Sequence, residues 1–501
     1  MPTSKPALPG ANNPAPAIPL LKLLLLAALA VLVHGYHLGA DDAAIYVPAI
    51  KKVAYPSLYP FGSEFFLSYS HLSFFADVVG NSARLTRLPI DFTIFAWHAA
   101  SIFLLLLAAW RLAGACFRNQ PARWGGVILL AALLSVPVAG TALVIMDPYV
   151  TARSLSTPAA VFAIACWVSN RWKEALAWLV CTALMHPLMS VYPAVFFGCF
   201  ALARRRPGPT DNALASALAG VPFLVPFEPA RGPAREALLS RSYLFVFRWE
   251  WYEWVGVFAP LGLLWWFASI APRGSTPAFR TLARSLVPFG LLFTLAGMVV
   301  SIPTWLENYT RLQPMRAFQL AYIVFFVLIG GLIQEYALKS IVWRWLALFL
   351  PLAAGMWFLQ QSSFPASPHV EWPGVRSDNA WTSAFLWVRE HTPKDAVFAL
   401  DPDYMLRPGE DMHGFRAVAE RSELADRVKD SGAALLFPQV ADEWKRQSQA
   451  ASGWEKFQLA DFRKLAARYP VTWILTTSPG PSGAACPYRN RDLAVCQIEA
   501  R

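Results

Sequence analysis

Apolar runs of spanning or near-spanning length recur through most of this chain, at about 18–38, 91–112, 124–146, 157–170, 172–187, 188–203, 212–227, 254–270, 285–303, 317–334 and 341–361. An α-helix needs roughly twenty mostly apolar residues to cross a bilayer core, where irregular backbone survives only inside protein or beside water. The pattern predicts a polytopic α-helical membrane protein with about eleven transmembrane helices over residues 18–362. Composition agrees: 56% hydrophobic and 15% charged residues, with 21 Trp in 501, are too apolar for a soluble protein of this size. The first run, Ile18 to Leu38, outlasts a signal-peptide core and leads into Gly39 and two acids rather than a small-residue cleavage site, so it reads as a retained helix. Residues 1–17, rich in Pro, Ala and Asn, read as a disordered tail.

The central runs are broken by His186-Pro187, Pro193, Pro222 and Pro226, which suggests helices that stop beside a water-filled cavity. Basic residues set the orientation. Arg111, Arg118 and Arg123, then Arg171 and Lys173, Arg204 to Arg206, Arg273, Arg280 and Arg284, and Lys339 and Arg344 occupy alternate loops. By the positive-inside rule that face is cytoplasmic, which places the N-terminus inside and the C-terminus outside a plasma (inner) membrane. The net charge of +11 is spread over these loops rather than gathered in a stripe, which argues against nucleic acid.

The opposite loops nevertheless hold Arg153, Arg231, Arg235, Arg241, Arg248, Arg311 and Arg316 beside nearly all the acids of the membrane region. Topology alone disfavours arginine there, so an anionic ligand is expected on that face. The first outward loop, residues 39–90, is longer than a connector needs and carries the amphipathic stretches AAIYVPAIKKVA and HLSFFADVVGNSARLTRL, expected to lie on the membrane surface. It opens with Asp41 and Asp42, either of which can act as a general base, hold a divalent cation, or cap the following helix. Asp147, six residues before Arg153, is a second outward acid, or a turn residue before Pro148. Arg311, Gln313 and Arg316 suit a phosphate, or snorkel at a helix start. Arg248 lies in an aromatic stretch with Glu250 and Glu253, a lipid or sugar platform or an interfacial belt. His186 stands where a helix ends before Pro187 and is a further binding candidate or a backbone-bonded histidine.

Beyond Gln361 the chain becomes mixed and charged, and residues 366–501 read as a separate α/β domain. NAWTSAFLWVREHTP followed by AVFAL, and DFRKLAARYP followed by VTWILTT, each give a helix and then a strand. Cys486 and Cys496 lie in this polar tail and can pair if it is outside the cytoplasm; the other four cysteines sit in or beside apolar runs as small hydrophobes. Asn308-Tyr309-Thr310 fits a glycosylation sequon, meaningful only outside bacteria. No Walker loop, CxxC pair, HExxH or GxSxG motif occurs, which leaves ATP-driven transport, zinc proteolysis and serine-hydrolase chemistry without support.

A first helix followed by a long outward loop opening with ADD, short central helices with MHP, the outward RLQPMR, and a C-terminal domain containing WVREHTPKDAVFALDPD and FRAVAERS together resemble the GT-C family of polytopic membrane glycosyltransferases, in its incompletely characterised bacterial branch. The resemblance implies transfer of a sugar, with inversion, from a polyprenyl-phosphate-type lipid carrier to a glycan, lipid or protein acceptor on the extracytoplasmic face. It implies Asp41 or Asp42 as base, Arg311 and Arg316 toward the lipid phosphate, and Asp147 as a second cavity acid. The tail lacks the WWDYG-type signature of oligosaccharyltransferases, which counts against transfer of a whole glycan to asparagine. Two other classes compete: an envelope-polysaccharide ligase or polymerase, whose long loop would fall late rather than first, and a non-catalytic transporter, which would show inverted repeats or a buried ionisable relay.

Overall fold

A computed structural model of the protein describes residues 19–204, 230–270, 272–302 and 304–498. The expected tail at 1–17 and the apolar run at 212–227 lie outside the described residues. The chain is mostly helical, with a small C-terminal sheet domain. Five described helices are long and apolar enough to cross a membrane: Ile90–Cys116, Trp251–Ile270, Pro277–Ser301, Glu307–Leu338 and Val342–Ser363. Three shorter apolar helices accompany them, Leu20–His34, Ala152–Val168 and Pro187–Ala203. In the most apolar 18-residue window of Glu307–Leu338 89% of the residues are buried, against 6% for Val342–Ser363, so the first, whose α-helical part Ala317–Ile333 is the central helix, is the packed centre of the bundle and the second its periphery.

In chain order the first helices are α1 (Leu20–His34), α2 (Ala43–Ala54), α3 (Glu64–Ser70), α4 (Phe75–Thr86), α5 (Ile90–Cys116), α6 (Gln120–Ala132), α7 (Ala152–Val168), α8 (Trp172–Met185) and α9 (Pro187–Ala203). Two apolar runs are less helical than their hydropathy suggests. The first stops at His34, because Gly35 turns with φ 76° and Tyr36 leaves the helix to bridge Val370. The run at 124–146 is helical only to Ala132: Pro137 cannot continue the ladder, and Ala139 and Ala142 adopt left-handed φ of 45° and 54°. Residues 133–151 instead form a folded connector, held to the central helix by Gln319, whose Nε2 donates to the carbonyls of Val144 and Ile145 at 3.1 and 3.0 Å.

The long loop also departs from expectation. Helix α2 does not lie on a surface; it is buried against α4 and the C-terminal domain, and Lys51 on it is fully buried. Its charge is met by Asp91 at 3.0 Å and Glu420 at 2.8 Å, with Arg389 bonded to Asp91 at 2.8 Å. The exposed large apolar side chains of the loop are instead Tyr55, just past α2, and Leu72, Phe74, Leu85 and Leu88, in or beside α4.

The C-terminal sheet has β1 (Val397–Ala399), β2 (Ser422–Glu423), β3 (Trp473–Thr477), β4 (Ala485–Arg489) and β5 (Leu493–Gln497) in the order β2-β1-β3-β5-β4. The first three strands are parallel and the last two complete an antiparallel edge. Helices Ala380–His391 and Leu459–Arg468 pack on it, the first through Phe385 and Val388 onto Phe398 and Val495. Asn379 caps the first helix by accepting from the N–H groups of Trp381 and Thr382. Cys486 and Cys496 join β4 to β5 as a disulfide.

Candidate functional site

The site lies where the start of the long loop, the 133–151 connector and the C-terminal domain meet. Asp41 is held in the left-handed region at φ 49°, an uncommon state for a residue other than glycine. Its backbone N–H donates to the carbonyl of Met412 at 2.8 Å, and Gly414 N–H reaches back to Gly39 at 2.9 Å. The fit leaves no slack: a Cβ on Gly39 would stand 2.6 Å from Ala417 Cβ, and one on Gly414 2.4 Å from Ala44 Cβ. The backbone carrying the acidic pair is therefore clamped by the C-terminal domain.

The side chains form one network. Tyr149 OH donates to Asp41 Oδ2 at 2.8 Å. Lys429 Nζ contacts Asp41 Oδ1 and lies 3.1 Å from Asp42 Oδ1. Arg153 Nη2 is 3.0 Å from Asp42 Oδ2 and 2.8 Å from Asp147 Oδ2, and Thr151 Oγ1 donates to Asp147 at 3.3 Å. Asp42 stands at the N-cap position of α2, yet its side chain makes no capping hydrogen bond; both its oxygens go to cations. Arg153 is placed by the first turn of α7, whose Thr151 and Ser154 close a capping box.

The three carboxyls differ electrostatically. Burial alone would raise Asp42, but Lys429, then Arg153 and Arg316, hold it well below the usual carboxylate range. Asp147 goes the other way: burial raises it, and Arg153, already shared with Asp42, does not fully offset that cost. Asp41 is the most open of the three, its side chain 41% exposed against 30% for Asp42 and 7% for Asp147. Two cations in direct contact with the Asp41 and Asp42 pair balance its charge, so these residues do not need a divalent ion to coexist.

Beside this network lies a crevice lined by Thr141, Tyr243, Gln313 and Arg316. Arg316 sits at the N-cap of the central helix with its guanidinium 5.7 Å from the Tyr243 ring centre, and its charge acts on Asp42 and His186. Several buried polar atoms here lack a hydrogen-bond partner: Arg316 Nε, Gln313 Oε1, Arg153 Nε and His186 Nδ1. Buried polar atoms without partners are rare in folded proteins, so their concentration around one network marks a place prepared for a ligand.

The structure thus brings together Asp41, Asp42, Asp147, Arg153 and Arg316, with His186 and Gln313 at the margin. Arg311 is also buried with Nε and Nη2 unpartnered, but it makes no contact with the carboxylates. Arg248 is not part of the site: it is exposed, donates to the Leu239 carbonyl at 3.1 Å and covers the Phe245 ring. Sequence reasoning missed Lys429 and Tyr149, whose roles arise from docking of distant segments. Lys429 sits in an ordinary charged stretch that carries no local signal.

Among families, the model described as "Domain of unknown function (DUF6798)" matches residues 379–450, which include Lys429 and the Met412–Gly414 segment that holds Asp41. No curated protein matches the chain.

Proposed function

We propose that this protein is a GT-C-type membrane glycosyltransferase that moves a sugar from a polyprenyl-phosphate-type carrier to an acceptor at the extracytoplasmic face. The observation that carries this reading is the single network of Asp41, Asp42, Asp147, Arg153 and Lys429 beside Arg316. It supplies what the chemistry needs at one place: an accessible carboxylate and fixed positive charge for a departing phosphate. A lipid-linked donor is already activated, so no nucleotide site is required.

In this reading Asp41 accepts the acceptor hydroxyl proton as the oxygen bonds to the sugar anomeric carbon. The bond from that carbon to the phosphate oxygen breaks on the opposite face, which inverts the centre. The electron pair leaves on the phosphate, where Arg316 meets it. Asp42 and Asp147 hold Arg153, and Lys429 bridges the two adjacent aspartates. The crevice beside Arg316 has room for no more than a water molecule, so in this reading it widens when the donor binds.

The finer topology belongs to the same proposal: short helices complete about eleven crossings, the N-terminus is cytoplasmic and the sheet domain extracytoplasmic. Arg111, Arg123 and Arg171, from loops assigned to the cytoplasmic face, line one shared cleft, which supports that grouping.

The test is transfer from a polyprenyl-phosphate sugar by the purified protein in lipid, comparing wild type with Asp41→Asn and Asp42→Asn. Loss of at least about 100-fold is expected for Asp41→Asn. If both variants transfer as wild type does, the assignment of the base is wrong.

A further inference from the structure

Behind the acidic pair, three stretches of chain far apart in sequence are laced together. Tyr36 bridges Val370 in parallel and Ala40 bridges His413 in antiparallel fashion. Glu371 N–H donates to the Tyr36 carbonyl at 2.8 Å, and His37 N–H to the Pro148 carbonyl at 2.8 Å. Each of the three stretches contributes one side chain to a common point: His37 from the segment after α1, Glu371 from the linker into the C-terminal domain, and His413 from that domain. Their ligand atoms all lie within 4.8 Å of one another.

We propose that His37, Glu371 and His413 form a binding site for a divalent d-block cation of the zinc class, which clasps the C-terminal domain to the start of the long loop. The donor set is the first argument. Two imidazoles and one carboxylate suit zinc and its neighbours, whereas magnesium and calcium prefer oxygen alone. Spacing is the second. Bonds of about 2.0–2.1 Å in a tetrahedron put ligand atoms roughly 3.3 Å apart. His37 Nδ1 is 3.4 Å from Glu371 Oε1 and His413 Nε2 is 2.7 Å from the same oxygen, which brackets that spacing, and the two nitrogens lie within 4.8 Å of each other, so the histidines draw together around the ion.

The surroundings are arranged as they are around metal ligands. His413 Nδ1 is 3.0 Å from the Glu410 carbonyl, which fixes the tautomer that presents Nε2. Leu38 N–H donates to the second oxygen of Glu371 at 2.9 Å and orients the carboxylate. His37 stacks on Phe364 with ring centres 3.9 Å apart. Both histidines are buried, and the side chain of Glu371 is 10% exposed. Without an ion, two histidines share one carboxylate oxygen and His37 Nε2 has no partner.

The site stands apart from the proposed sugar-transfer chemistry and does not rest on it. Its consequence is positional. His37 precedes Asp41 by four residues, and His413 follows Met412, whose carbonyl holds the Asp41 N–H.

The experiment uses full-length protein purified in detergent without a polyhistidine tag, stripped with a chelator, titrated with Zn2+ alone and desalted before elemental analysis. Retention of about one Zn2+ per chain is expected, with a rise in melting temperature that Mg2+ does not reproduce. His37→Asn and His413→Gln, checked by size-exclusion chromatography, should each lose on the order of tenfold or more in affinity. Wild type that retains no Zn2+ overturns the proposal, as do folded variants that retain as much as wild type. If the variants do not fold, the wild-type titration decides alone, retention supporting the site and its absence overturning it.

Discussion

Lys429 Nζ lies 3.1 Å from Asp42 Oδ1, across 387 residues of chain, and contacts Asp41 as well. One ammonium from the C-terminal domain thus holds together two adjacent carboxylates at the start of the long loop. Removing it leaves like charges side by side with Arg153, among the described residues, as the one cation still in contact with the pair. Lys429→Met should lower stability by about 2 kcal/mol, discounted for the partial exposure of both aspartates, and Lys429→Arg should recover most of it. Thermal melts of the two variants in detergent check this; equal melting for Met and wild type would show that the contact carries no stability.

The acids of the network should respond to pH with opposite sign. Asp42 is depressed in the folded protein, so its contribution is present above the ordinary carboxylate pKa of about 4 and is lost as pH falls through the folded value. Asp147 is raised, so the folded state is favoured most below about 4, and that advantage is lost as pH rises through the folded value. The groups facing Asp147 are Arg153, Thr151, Asp42 and Asp41. The melting difference between wild type and Asp147→Asn should therefore shrink or reverse as pH rises from 4, while that between wild type and Asp42→Asn should hold level above about 4 and shrink as pH falls below it. Parallel slopes for the two variants would contradict the electrostatic assignment.

How much of this was legible follows from where charge is costly. Asp41, Asp42, Asp147 and Arg153 stood out because acids and extra arginines beside apolar runs need a reason, and the structure brings these four together. Lys429 did not stand out, since a lysine in a soluble domain needs none. Arg248 was selected by the same charge argument and lies elsewhere, because a local carbonyl at Leu239 and the Phe245 ring satisfy it. Hydropathy also could not separate helix from packed connector: residues 133–146 are apolar enough to span, but Pro137 and two left-handed alanines make them a loop buried in protein. The helix and strand order of the C-terminal domain was readable from periodicity and from Pro393, whereas the burial of α2 was not, since its apolar face suits a membrane surface and a protein interface equally.

Lys51 gives a sharper test of how the domain is docked. It is fully buried between Asp91 on α5 and Glu420 in the C-terminal domain, and burial, which alone would lower its pKa, is outweighed by these two carboxylates. Lys51→Met should cost about 3 kcal/mol, because it leaves two buried carboxylates with Arg389 alone. Adding Glu420→Gln to that variant should recover part of the loss. A double-mutant cycle in thermal unfolding measures the coupling, and strict additivity would mean that the pair does not interact.

The membrane bundle is held at one place by a backbone contact that a single methyl group would break. A Cβ on Gly126 of α6 would stand 2.4 Å from the Val327 carbonyl oxygen of the central helix, and one on Gly330 2.5 Å from that of Gly125. Small residues facing each other in this way let two helices approach closely, which is a main source of association where lipid removes the hydrophobic drive. Because the obstructing atoms are backbone, a rotamer change cannot relieve them. Gly126→Ala should therefore cost roughly 1–3 kcal/mol by overpacking, and Gly126→Leu more. Gly262 and Gly355 are the controls: they sit in helices with nothing within 4 Å of an added Cβ, so alanine there should be neutral or stabilise by up to about 1 kcal/mol. Melting temperature and monodispersity in one detergent separate the two groups, and an ordering with Gly126→Ala as stable as Gly262→Ala would refute the contact between α6 and the central helix.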